Sequence, residues 1–387
     1  MPRAVISGLG EIAPVRRSGR TTLDMVADAT RLALADAGIA PADVGGVVTE
    51  ASLTPKMAPI GDLAPTVGLD RVSVTALSSP TGAGILQAIG IAAALVESGT
   101  ADHVVSYFGI DWGTRTSGPN DYHAAMDAKS VIERPAGFVG PPLYFAAAMR
   151  RYSHVYGLSE HDTENLLASI AMAARVNATL HPGAQVTSPL TREDYDRSPM
   201  IASPVRKADC CLLSDGAVAV VVSNSHAVSP RGRAVSIRGW SWAQDRFDDA
   251  SFYSQSPLPL LSATARASEE AFRLAGVTPA NIDVAEIYDC FSPAIVLQLE
   301  SAGFCAPGSA ADYAAAGALE TAGEHPTNTH GGLLSHGYLF GANHLAEAVT
   351  QLRHEAGPRQ VRDAELAFVG AGPGRQYTAL ILEHAGE

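Results

Sequence analysis

The sequence predicts a layered α/β protein built from two related halves, and three observations carry that reading. First, one grammar occurs twice. Ala37-Gly38-Ile39-Ala40-Pro41-Ala42-Asp43-Val44 leads into Gly46-Val47-Val48-Thr49, and Ala275-Gly276-Val277-Thr278-Pro279-Ala280-Asn281-Ile282 leads into Val284-Ala285-Glu286-Ile287. Each copy reads as a helix closed by a glycine free to take positive φ, a proline that forbids continuation, and then a buried strand. Second, each half carries a glycine-rich entry, an apolar helix and a further strand. These are Gly82-Ala83-Gly84, Ile85 to Ser98 and His103 to Tyr107, then Gly341-Ala342, a helix to about Glu355, and Glu365 to Gly370. Third, 47% of the 387 residues are apolar and 17% are charged, enough for a large core and too little charge for disorder. Two half-sheets with apolar faces are expected to pack together and bury helices between them.

The elements follow in order. Met1 to Gly10 reads as an opening strand running into glycine; its apolar stretch is too short for a secretion signal, so a cytoplasmic location is expected. The longest apolar tract, Ile85 to Val96, is interrupted by Gln87 and falls short of the roughly 20 residues of a bilayer-spanning helix. No membrane span is expected. Between about 111 and 204 the pattern loosens into a Pro/Gly/Asp-rich insertion with one clear helix, Glu160 to Asn177, and reads as a lid, a substrate loop or an interface. Ser214-Asp215 turns into a strand, Asp215 to Val222, whose unbroken apolar run marks burial on both faces. Polar, turn-rich Asn224 to Arg233 joins a first half, residues 1–225, to a second, residues 233–387.

Composition excludes several functions. With 27 Lys+Arg against 40 Asp+Glu, the formal charge of −13 would repel nucleic acid rather than gather it. Cys210, Cys211, Cys290 and Cys305 lack C-x-x-C spacing and read as reduced thiols, while His103, His123, His154 and His161 lack ligand spacing and read as surface or capping residues. No metal site is expected. Gly370-x-Gly372-x-Gly374 runs into a strand, Gln376 to Leu382, where a dinucleotide fingerprint needs a helix, so no nicotinamide or other cofactor is expected.

The second half carries Glu286-Ile287-Tyr288-Asp289-Cys290-Phe291-Ser292. It continues with Asn328-Thr329-His330-Gly331-Gly332-Leu333-Leu334-Ser335-His336-Gly337-Tyr338-Leu339-Phe340-Gly341-Ala342, and then Gly370-Ala371-Gly372-Pro373-Gly374. Over nearly the whole chain this resembles the thiolase superfamily, particularly its sterol-carrier-protein-x or lipid-transfer-protein branch. The resemblance implies a five-layered α/β/α/β/α fold of two pseudo-repeated halves, usually a homodimer, that holds an acyl-CoA thioester.

Departures from that pattern are informative. The nucleophilic cysteine of a thiolase falls at or beside Ser79, its Gly-His pair is matched by Gly337-Tyr338 with His336 alongside, and its terminal cysteine falls near Phe368. A serine without an imidazole to activate it is a poor nucleophile, which argues against Claisen chemistry through an acyl-enzyme. A site that still binds a thioester and stabilises its enolate suits retro-aldol cleavage of a β-hydroxyacyl-CoA, which needs a base, enolate-oxygen donors and an acid. Tyr288, at the position of a thiolase's second active-site loop, and Tyr338 are the candidates. A phenol has an ordinary pKa of about 10 and needs help to act as base, which Asp289 or His336 could give. The base is assigned provisionally to Tyr338, with the roles exchangeable. Ser79, Gly332, Gly341 and Gly372 are taken as substrate-binding positions, and Asn328 and Thr329 as loop-shaping residues.

The Tyr-Asp-Cys-Phe and Ser-His-Gly-Tyr motifs resemble those of the steroid side-chain-cleaving aldolases. That likeness implies a 17-hydroxy acyl-CoA side chain as substrate and a 17-ketosteroid plus propionyl-CoA or acetyl-CoA as products. It also implies a companion protein with a zinc ribbon and an OB-fold, completing a heterotetramer. Two rivals stand beside this reading: a thiolase-type acyltransferase using Cys290, and a non-catalytic subunit that binds lipid or acyl-CoA.

Overall fold

A computed structural model describes residues 4–51, 58–79, 82–115, 131, 134–138, 140–228, 233–245, 262–372 and 374–386. The first half supplies β1 (Ala4–Val15), α1 (Thr22–Ala37), β2 (Gly46–Glu50), α2 (Ile60–Val67), β3 (Val74–Ser78), α3 (Gly84–Glu97), β4 (His103–Asp111), α4 (Pro141–Tyr156), α5 (Glu160–Thr179), α6 (Arg192–Arg197), the short pair β5 (Met200–Ala202) and β6 (Val205–Arg206), and β7 (Asp215–Asn224). The second supplies β8 (Val235–Gln244), α7 (Ser262–Ala275), β9 (Val284–Ile287), α8 (Ser292–Ser301), α9 (Ala310–Ala315), α10 (Ala342–Leu352), β10 (Leu366–Ala371) and β11 (Gln376–His384).

The repeated grammar has the same local structure in both halves. After α1, Gly38 takes φ +66° and a 3-10 turn, Pro41–Asp43, precedes β2; after α7, Gly276 takes φ +67° and Pro279–Asn281 precedes β9. Strand order is β3-β2-β4-β7-β1-β8-β11-β10-β9, which reads as one half and its mirror. Among the described residues β3 has no counterpart strand in the second half, but a parallel bridge joins Thr327 to Ala285 on β9.

Layering follows from which helix touches which strand. Helices α3 and α10 each contact strands of both halves, α1 packs on β1, β4 and β7, and α7 packs on β8 and β11. The order is therefore helix, half-sheet, α3 with α10, half-sheet, helix. Strand β7 shows why its sequence does not alternate. Ala217, Ala219 and Val221 face the α1 cluster, while Val218, Val220 and Val222 face the central cluster. Both faces are buried, so both sets of positions are apolar. Gly90 of α3 lets the halves close, since a Cβ there would lie 2.2 Å from the Trp240 ring on β8.

Two expectations need correction. The insertion holds three helices among its described residues, not one. Helix α4 begins Pro141-Pro142, and proline at a helix start fits because the first N–H groups have no partner within the helix. His103 is a buried residue of β4 rather than a surface or capping residue; its Nδ1 lies 2.8 Å from Ser223 Oγ on β7, and burial pushes its pKa down. His154 and His161 are exposed as expected, and His123 lies outside the described residues.

Asp209, fully buried near α6, gives the fold a pH dependence. Burial pushes its carboxyl from 3.8 to about 6, against the support of the Arg206 N–H at 2.7 Å and the Tyr195 hydroxyl at 3.0 Å. A carboxyl raised on folding destabilises the protein when ionised, so its penalty is complete above pH 6 and fades as pH falls toward 3.8. The Tyr195 hydroxyl supports the ionised form, and a hydrogen bond to a charged group contributes about 2 kcal/mol. Tyr195→Phe is therefore expected to lower the melting temperature more at pH 8 than at pH 5. Equal losses at both pH values would refute this account of Asp209.

Candidate active site

Strand β9 ends at Ile287, and Tyr288 continues its line by donating its N–H to Gly370 O at 2.9 Å. Gln298 of α8 donates to the Tyr288 carbonyl at 2.6 Å. The ring then reaches the start of α3, where a Cβ on Gly82 would come within 3.2 Å of it; on its other side a Cβ on Gly341 would lie 3.5 Å away. Glycine at both places leaves room for the ring.

Tyr338 follows a single π turn, Gly332–His336. Its N–H donates to Ser214 Oγ at 2.8 Å, and its ring stacks on Trp112 at 5.6 Å and meets Phe340 at 4.8 Å. Trp112 is positioned in turn by its neighbours: Gly113 N–H donates to Ser214 O, and Thr114 N–H to the Asp215 carboxylate at 2.8 Å. Two segments 50 residues apart thus bring the Tyr288 and Tyr338 hydroxyls to 2.8 Å, with the rings edge to face.

Burial, reinforced by Tyr338 and Cys290, pushes the Tyr288 phenol well above its ordinary range. It remains a proton donor at neutral pH. Cys290 stands beside that hydroxyl, and Cys211 donates its N–H to the Cys290 carbonyl at 3.0 Å. Burial pushes both thiols well up, so neither is present as the thiolate that a nucleophile requires.

Asp289 and His336 do not serve the phenols through hydrogen bonds. The Asp289 carboxylate accepts the N–H groups of Leu333, at 2.7 Å, and Leu334, at 3.4 Å, and lies 3.0 Å from His344 Nε2. It fastens the π turn that leads to Tyr338. His336 packs its ring on His181 and His330, and its Nδ1 faces Asn343. Ser79 donates its hydroxyl to Gln376 Oε1 at 2.5 Å and its N–H to Gln87 Oε1 at 2.8 Å, three residues before Gly82. Gly332 lies against Asp289, and Gly372 against Ala83 at the start of α3, where Cβ atoms would come within 2.0 and 2.5 Å of those side chains. Asn328 bonds both the N–H and the carbonyl of Ile287, at 2.7 and 2.8 Å, and so shapes the loop. Phe368, at the expected place of a thiolase's terminal cysteine, faces the outer cluster with Phe272 and Phe304.

Sequence reasoning missed Trp112, Phe340, Ser214, Gln298 and the buried group Glu286, His330, Asn343 and His344. Phe340, His330 and Glu286 stood inside the quoted motifs, so their signal was present. Trp112 lies outside every motif and had none.

The thiolase C-terminal domain-like family model matches residues 247–384. The 17-hydroxy-3-oxo-4-pregnene-20-carboxyl-CoA lyase of Mycobacterium tuberculosis is 32% identical over 390 aligned residues, covering 98% of this chain and 99% of that protein. The chain belongs to the thiolase superfamily, in its steroid side-chain-cleaving aldolase branch. The steroid side-chain-cleaving aldolase of Thermomonospora curvata is also 32% identical, over 98% of this chain and 97% of its own. A solved Ltp2-ChsH2(DUF35) aldolase superposes with a TM-score of 0.88 at 31% identity, over 99% of this chain and 98% of that one.

Proposed function

We propose that this chain is a cofactor-free carbon–carbon lyase that cleaves a bulky β-hydroxyacyl-CoA by a retro-aldol reaction. The observation that carries the reading is the 2.8 Å contact between the two phenols. Tyr288, kept protonated by burial, donates to the Tyr338 oxygen and supports it as the base. Ionised Tyr338 takes the β-hydroxyl proton as the Cα–Cβ bond breaks. The β-carbon becomes a ketone, and the bonding pair passes into the thioester as an enolate. Tyr288 protonates the α-carbon, and the proton now on Tyr338 crosses the phenol contact to restore the starting state. Backbone N–H groups at the start of α3, which have no partner within the helix, are the donors this reading assigns to the enolate oxygen beside Gly82.

The steroid reading draws on the relatives' names. In a 17-hydroxy-pregnene-20-carboxyl thioester the hydroxylated carbon is β to the carbonyl, and cleavage there releases a 17-ketosteroid with propionyl-CoA. A side chain lacking the methyl branch would release acetyl-CoA. The aromatic face formed by Trp112, Tyr338 and Phe340 suits a flat alicyclic skeleton. A homodimer bound to a zinc-ribbon and OB-fold companion, forming a heterotetramer, is part of the same proposal, as is a cytoplasmic location. The related aldolase was solved with ChsH2(DUF35), and no helix among the described residues is long and apolar enough to cross a membrane.

Incubating the chain with β-hydroxyacyl-CoA thioesters of graded bulk, with and without the companion, tests the reading. Release of ketone and shorter acyl-CoA is expected; tight binding without turnover in both conditions would overturn it. The raised thiols favour this reading over acyl transfer through Cys290. Cys290→Ala is expected to keep turnover within about tenfold, because the thiol borders the phenol pair without carrying an acyl group. Abolished turnover in a folded Cys290→Ala protein would restore the acyltransferase.

A further inference from the structure

Glu50 ends β2, and the repeated grammar makes it the first half's counterpart of Tyr288: Glu50 stands twelve residues after Gly38, and Tyr288 twelve after Gly276. On β2, Val47 faces the α1 cluster and Val48 the central cluster, so alternation turns Glu50 toward the middle layer. There it meets the start of α3. A Cβ on Gly84 would lie 2.9 Å from Glu50 Cγ, two residues beyond the Gly82 that leaves room for the Tyr288 ring. Side chains from the two halves thus approach one turn.

Its other neighbours are walls of the same site. Thr49 pairs with Tyr107, which sets Glu50 one step further on, beside Phe108 of β4. The Phe108 ring meets Phe340 at 5.4 Å, and Phe340 meets Tyr338 at 4.8 Å. Glu50 therefore stands between the aromatic face that carries Tyr338 and the helix start that borders Tyr288.

Nothing in the fold explains a carboxyl there. Glu50 is 7% exposed, and its Oε2 has no hydrogen-bond partner among the described residues. Burial alone pushes its pKa well above the ordinary carboxylate range, so at neutral pH it carries a proton and no charge. A buried polar atom without a partner is destabilising, and an apolar side chain would fill the place without that cost. Such a departure belongs at a functional site, where a ligand supplies the missing partner.

The chemistry wanted at this turn is an O–H donor. In the retro-aldol reading given above, on which this inference rests, the thioester oxygen gains negative charge beside Gly82 as the Cα–Cβ bond breaks. A carboxylate would repel that oxygen. A carboxylic acid donates to it more strongly as the charge grows, and keeps its proton throughout.

We propose that Glu50 is a catalytic residue whose carboxyl O–H hydrogen-bonds the thioester oxygen and holds the enolate during cleavage.

Full-length Glu50→Leu and Glu50→Gln proteins are compared with wild type, with and without the companion. Glu50→Leu is expected to lower kcat about 10²- to 10³-fold, as loss of one oxyanion donor does, while KM stays within about threefold. Its melting temperature should equal or exceed that of wild type, because an apolar group replaces an orphaned polar one. Glu50→Gln keeps an N–H donor and should retain kcat within about tenfold. Infrared spectra of bound, carbonyl-labelled acyl-CoA add a readout independent of turnover: the thioester carbonyl band is expected at lower frequency in wild type than in Glu50→Leu. Near-normal kcat in a folded Glu50→Leu protein, with wild type active, overturns the inference and leaves the retro-aldol reading standing. A wild type that never cleaves yet shows the Glu50-dependent carbonyl shift overturns that reading and keeps Glu50 as the donor. Equal carbonyl bands in wild type and Glu50→Leu overturn the inference whether or not turnover occurs. If Glu50→Leu fails to fold, the protonated-carboxyl band that Glu50→Gln lacks decides: it should move when acyl-CoA binds to wild type, and an unmoved band overturns the proposal.

Discussion

Tyr338→Phe is expected to lower turnover of a β-hydroxyacyl-CoA by about 10²- to 10⁴-fold, the usual contribution of a positioned acid or base. Folding should be little affected. The ring keeps its stacking on Trp112 and Phe340, and the backbone N–H keeps Ser214. Only the hydroxyl is removed, together with the 2.8 Å contact it makes with Tyr288. Tyr288→Phe should lose turnover on the same scale, because it removes the other end of that contact. The double variant should be little worse than either single one, since groups that act as a unit are strongly non-additive. Steady-state kinetics on three variants with matched melting temperatures check this. A folded Tyr338→Phe protein with near-normal turnover would exclude the phenol as base.

Asp289→Asn is expected to lower kcat by about 10²-fold or more through position rather than chemistry, since a misplacement near 1 Å has that effect. The carboxylate fastens Leu333 N–H, Leu334 N–H and His344 Nε2, and an amide can accept with only one of its two atoms. At least one buried donor loses its partner, at about 1–3 kcal/mol. The π turn leading to Tyr338 then loosens. Gly332→Ala should act in the same direction, because its Cβ would fall 2.0 Å from Asp289 Oδ2 and its φ is +62°. Hydrogen exchange at Leu333 and Leu334 should accelerate in both variants as kcat falls. Lost kcat with unchanged exchange would assign Asp289 a direct chemical role instead.

The repeat was legible because it rests on local chemistry. A glycine at positive φ followed by a proline has few structural meanings, and the pair Gly38/Pro41 and Gly276/Pro279 has the same one twice. The phenol pair was legible for a different reason: both residues stood inside the motifs that carry the thiolase resemblance, although their 50-residue separation gave no local cue to contact. Asp289 and His336 were expected to assist the phenols, and neither makes a direct hydrogen bond to one, because adjacency in sequence is not adjacency in space. The Asp289 side chain, just after β9, goes to the peptide groups of the π turn, while His336, the last residue of that turn, goes into a histidine cluster. Trp112 could not be read at all, since nothing in its neighbourhood indicates that Asp215, about a hundred residues later, fixes its loop.

The central claim is that protons move while no acyl group is ever attached to the polypeptide. Rapid quenching during turnover of a β-hydroxyacyl-CoA, with intact-mass measurement of the chain alongside product analysis, tests it most directly. The account predicts ketone and shorter acyl-CoA accumulating while the protein mass stays unchanged at every time point. An acylated chain that forms and decays at the rate of turnover, with the adduct on Cys290 or Ser79, would contradict it.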